Sequence, residues 1–95
     1  MKTYEVLYII RPDLDDEAIA AEADKFAGIV TANGGTDLAV DKWGKRRLAY
    51  EINDHKDGFY VLMTFNGEAR TAQELERIMK ISDNILRFLT TKKED

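Results

Sequence analysis

The stretch "TYEVLYIIRPDLDDEAIAAEADKFAGIVTANGG", Thr3 to Gly35, changes its period halfway, and that change decides the fold. Residues 3–10 are β-branched and aromatic, and they stop at Arg11-Pro12, where a strand must end. Beyond the proline, Ile19, Ala23, Phe26, Ala27 and Val30 fall on one helical face, with Glu17, Ala21, Asp24 and Thr31 opposite. Asp13 or Asp15 can cap this helix, its early acids suit the helix dipole, and Asn33-Gly34-Gly35 can end it.

The rest of the chain repeats the order. Leu38, Val40, Leu48, Tyr50 and Ile52 share even parity, which predicts one long strand or two pieces kinked near Gly44. A turn over residues 53–58 leads to a strand with Phe59, Val61, Met63 and Phe65 on one face. Thr71-Ala-Gln-Glu74 reads as a capping box ahead of a helical stripe of Ala72, Leu75, Ile78 and Met79. Asp83-Asn84 turns into a last strand, "ILRFLTT". The expectation is an α+β, ferredoxin-like split β-α-β-β-α-β sandwich, a four-stranded antiparallel sheet with both helices on one face. Residues 1–92 would form this single domain and 93–95 a polar tail, the closing "KKED" fraying. The other sheet face, carrying Leu7, Ile9, Tyr60 and Leu62, would be an open apolar patch awaiting a partner.

A chain of 95 residues supports one core and no deep cleft besides, since it buries roughly two-thirds of its unfolded surface. The absence of cysteine excludes disulfides and thiolate metal sites. No apolar run approaches the roughly 20 residues of a membrane span. Tyr4, Glu5 and Tyr8 interrupt the N-terminal apolar run, and no small-residue cleavage site follows, which argues for a cytoplasmic protein without a signal peptide. His55, the one histidine, sits in a polar turn; "DLDDE" lacks the glycine and distant glutamate of a calcium loop. The Arg11 loop has no glycine and is followed by acids that would repel a phosphate. Catalytic residues, metal ligands, cofactors and small-molecule substrates are therefore not expected. A regulatory ferredoxin-like domain that dimerises by its sheet and binds a metabolite or protein is the alternative reading. It would call for glycine-rich loops and a pocket, and neither is evident.

The strongest local signal is Lys42-Trp-Gly-Lys-Arg-Arg47, four cations within a chain of formal charge −4. Charges can simply guard an edge strand. Adjacent arginines, suited to phosphate or carboxylate, and Gly44 beside Trp43, suggesting a bulge, favour a docking surface. Unbroken alternation puts Trp43, Lys45 and Arg47 on one side and Lys42 and Arg46 on the other. Arg46 and Arg47 then do different jobs, while Leu48, Tyr50 and Ile52 hold the strand in the sheet. Lys2, Tyr4 and Arg87 form a second candidate group, because the first and last strands are neighbours and Arg87 can approach the start of strand one.

"KTYEVLYIIRPDLDDE", "WGKRRLAYEI", "DGFYVLMTF" and "DNILRFLTTK" resemble, in order and spacing, the bacterial ribosomal protein S6 family over residues 2–92. The most specific piece is Gly44 to Tyr50, supported by Tyr4-Glu5 and by Asp83-Asn84 with Arg87. The resemblance implies the same fold and a structural protein of the small ribosomal subunit. Such a protein binds the central domain of the small-subunit ribosomal RNA as a pair with ribosomal protein S18. It implies Lys2, Tyr4 and Arg87 toward RNA, and the strand around Trp43–Arg47 at the junction of RNA and partner. We take Lys45 and Arg47 with the RNA group, and Trp43, Arg46 and Leu48, with Tyr60 and Leu62, toward the protein partner. A basic partner would also explain how an acidic chain enters a ribonucleoprotein.

Overall fold

The computed structural model describes residues 2–93, in the order β1 (Lys2–Ile10), α1 (Asp16–Ala32), β2 (Thr36–Ile52), β3 (His55–Gly67), α2 (Ala69–Ile81) and β4 (Ile85–Lys93). The strands form one antiparallel sheet in the order β2-β3-β1-β4. Tyr4, Val6, Tyr8 and Ile10 of β1 alternate into the core with Val61, Met63 and Phe65 of β3. Ile19, Phe26 and Val30 of α1 and Leu75 and Met79 of α2 cover them from one side. This is the ferredoxin-like α+β sandwich.

Local chemistry sets the ends of the elements. Asp15 caps α1, its Oδ1 accepting from the Ala18 amide at 2.8 Å. Arg11 donates two side-chain bonds to Asp13 at 2.8 and 2.7 Å, which stiffens the loop before it. The capping box expected at Thr71 does not form. α2 begins three residues earlier than a Thr71 cap would start it, at Ala69 with Glu68 in the cap position, and Thr71, fully buried, donates to the Asn33 carbonyl at 2.7 Å. Glu74 instead holds Arg77 at 3.0 and 2.6 Å. Tertiary burial decides where the threonine hydroxyl goes.

Two further boundaries differ from expectation. The β2–β3 turn is only Asn53-Asp54, with φ of 50° and 67°, and the strand resumes at His55. Two consecutive left-handed residues have the twist of a tight hairpin. β4 runs through Lys92 to Lys93, which pairs with Thr3 and bridges to Glu5 at 3.1 Å. Lys93 is thus strand rather than tail, and the remaining tail residues, 94 and 95, lie outside the described residues.

Candidate RNA and protein interface

The face without helices is built by strand alternation. Leu7 stands opposite Leu62 on β3 and Leu89 on β4, and Ile9 opposite Tyr60 and Arg87. Leu7, Ile9, Tyr60, Arg87 and Leu89 line a shallow groove with Phe88 at its side. Leu89, 63% exposed, is the most open of its apolar residues. The sequence argument missed it because it assigned no faces to β4.

The basic segment does not keep its parity. Register with β3 shifts between Lys42 and Gly44, and Gly44 takes φ of +90°. An extra residue in one strand turns all later side chains to the other face. Trp43 therefore lies on the bare face, stacked on Tyr60 with centroids 6.3 Å apart and planes 6° from parallel. The Arg46 guanidinium stands 4.9 Å from the Trp43 ring centre, and the Trp43 indole N–H donates to Asp41 at 3.1 Å. Lys45 pairs with Phe59 and Arg47 with Asp57, turned toward the helix side. So Trp43 groups with Arg46, not with Lys45 and Arg47. Arg46 and Arg47, adjacent in the strand, point opposite ways. The same slip separates Val40, paired with Met63 on the helix side, from Leu48 on the bare face.

The hairpin end of β2 and β3 then curls over the sheet. Leu48, 7% exposed, is packed near Gly58, which lies against Ile9. Tyr50 is 60% exposed and does not anchor the strand as expected; its hydroxyl accepts from Arg87 on the far edge, whose guanidinium stands 5.8 Å from the Tyr50 ring centre. Leu48 is accordingly removed from the partner-contact group, because it is spent inside the chain. Tyr4 is removed from the RNA group: it is 6% exposed and its ring stacks on Phe65 at 5.6 Å. The grouping of Lys2 with Arg87 also fails. Lys2 pairs with Gly67 at one end of β1, whereas Arg87 pairs with Ile9 at the other, about 23 Å along the strand at ~3.3 Å per residue. Lys2 instead shares its end of the sheet with Lys92 and Lys93, signals the sequence reading had assigned to a tail.

Among the described residues no group of three or more His, Cys, Asp or Glu side chains could hold a metal ion, and no helix is long and apolar enough to cross a membrane.

A helix-backed sheet with a bare, aromatic and apolar face beside a cationic edge defines a binding module. The family model described as Ribosomal protein S6 matches residues 3–92. The chain is similar to small ribosomal subunit protein bS6 of Desulfitobacterium hafniense (strain DSM 10664 / DCB-2), 76% identical over 95 residues and 100% of both chains. The corresponding protein of Heliobacterium modesticaldum is 50% identical, covering 100% of this chain and 99% of that relative. The crystal structure of 30S ribosomal protein S6 from Thermotoga maritima superposes with a TM-score of 0.91 at 26% identity, over 97% of this chain and 87% of that one. The chain belongs to the ribosomal protein S6 family, structural and non-enzymatic proteins of the small ribosomal subunit.

Proposed function

We propose that this chain binds the central domain of small-subunit ribosomal RNA jointly with ribosomal protein S18. The observation that carries the division of labour is the opposite orientation of Arg46 and Arg47 beyond the Trp43-Gly44 bulge. On the bare face, Trp43, Arg46, Tyr60 and Leu62 meet the protein partner, where an apolar and aromatic patch gains most from losing water. Lys2, Lys45 and Arg47 take phosphates, which need cations but no apolar surroundings. Arg87, oriented by the Tyr50 hydroxyl, takes a phosphate at the junction. A chain of charge −4 with so few phosphate contacts binds RNA weakly alone, and a basic partner supplies the rest.

The test is retention of a central-domain RNA fragment by this chain, with and without ribosomal protein S18, across a salt series. Retention should depend on the partner. Equal retention without it, or none with it at low salt, would overturn the reading.

A further inference from the structure

The two outer strands of the sheet are treated differently. β2 is heavily guarded: Lys42, Lys45, Arg46 and Arg47 are exposed, and its pairing with β3 is broken by register shifts. Charges and bulges are the usual means of preventing an edge from pairing with another chain. β4 has neither along its middle. Its register with β1 is unbroken from Thr3–Lys93 to Ile9–Arg87, and between Ile85 and Thr91 it carries one charge. Its outer side presents an unpaired row of backbone N–H and C=O groups. Beside that row runs a groove lined by Met79, Lys80, Ile85, Leu86, Arg87 and Phe88. Ile81, ending α2, and Leu89 are 69% and 63% exposed.

We infer that β4 is an acceptor edge for an extended acidic peptide segment of a partner protein, which adds as a fifth strand. Such addition draws affinity from main-chain hydrogen bonds and selectivity from pockets beside the edge. The charge pattern chooses the occupant. From Ile85 to Lys93 there is no acidic residue, while Arg87, Lys92 and Lys93 lie on the strand and Lys80 beside the groove. A segment with alternating apolar and acidic residues matches both the groove and the cations. A second copy of β4 would set two cationic edges together. A phosphate chain carries acceptors only and leaves the strand's carbonyls unmatched. The inference concerns the outer edge of β4 and shares with the RNA and S18 reading only Arg87 and Leu89, which border both the edge and the bare face.

The test uses the full chain, isotopically labelled, and a synthetic nonapeptide Glu-Val-Glu-Val-Thr-Val-Glu-Val-Glu. Binding should slow hydrogen exchange at alternate amides of β4 and shift the resonances of Ile81 and Phe88. The peptide N-methylated at alternate residues, which cannot complete the ladder, should bind about tenfold more weakly. Lys80→Glu and Leu89→Asp, both at exposed positions, should weaken the parent peptide severalfold with the thermal midpoint held. Four outcomes overturn the inference: no perturbation at millimolar peptide; perturbation confined to Leu7, Tyr60 and Leu62; binding by both variants equal to that of the unsubstituted chain; or stronger perturbation of β4 by a uridine oligonucleotide than by the peptide.

Discussion

Gly44 and Gly58 lie in the same pair of strands but are required for opposite reasons. A Cβ on Gly44 would meet nothing within 4 Å, so only its φ of +90° resists a side chain. A Cβ on Gly58 would come within 2.2 Å of Ile9 Cγ2 and 3.4 Å of Leu48 Cδ2. Gly44→Ala should cost about 1 kcal/mol of backbone strain. Gly58→Ala should cost roughly 1–3 kcal/mol, because crowding moves Ile9 and lifts the hairpin end away from Arg87. Urea unfolding compares them, and a smaller loss at Gly58 would refute the close packing. Asp13 offers a pH test. The bond from Arg11, chiefly, holds its carboxyl at about 2, below the ordinary 3.8. A depressed carboxylate contributes stability above its unfolded value that is lost as pH falls toward the folded one. Asp13→Asn should therefore lower stability slightly above about pH 4 and abolish the wild-type decline between about pH 4 and pH 2, with a small amplitude because the pair is exposed. At this scale the sequence was readable where chemistry is local. It narrowed the cap of α1 to Asp13 or Asp15, and the structure uses Asp15. Tyr4 and Leu48 carry no local sign of whether they end in contact with a partner or inside the chain.

Among the elements, α2 shows how tertiary contact overrides a motif. Thr71 had the spacing for a capping box, but its hydroxyl ties the end of α1 to the first turn of α2 through the Asn33 carbonyl. Thr71→Val keeps the volume and removes the donor, so it should destabilise by about 1–2 kcal/mol, whereas Thr71→Ser, retaining the hydroxyl, should lose less. Chemical denaturation of the two variants decides; equal losses would mean that the methyl, not the bond, matters. β2 is the other instructive element. Its length was legible from the period-2 run on either side of Gly44. Its faces were not, because one bulge residue at Trp43-Gly44 inverts the alternation, and parity counting has no term for an unpaired residue. Gly44 itself was the available signal.

For the whole molecule, the order of strands and helices was legible because each segment carries its own period. What the sequence did not reveal is the curl of the β2–β3 hairpin, a matter of twist accumulated over two long strands. That curl fixes how the basic segment is shared. Arg47→Ala should lower the slope of log affinity against log salt by about one in the RNA–S18 assembly. Arg46→Ala should weaken the assembly at unchanged slope, and neither should move the thermal midpoint appreciably. A large drop in midpoint for Arg46→Ala would make its place over Trp43 a structural one. The bond between Tyr50 and Arg87 joins the two outermost strands of the sheet, with β3 and β1 lying between them. It acts as a strap across one end of the bare face, so that the face resembles a pouch rather than a table. A partner chain lying along Leu7, Leu62 and Leu89 has its wide approach from the opposite end, where Lys2 and Lys93 stand, and those cations are the first charges it encounters on the way in.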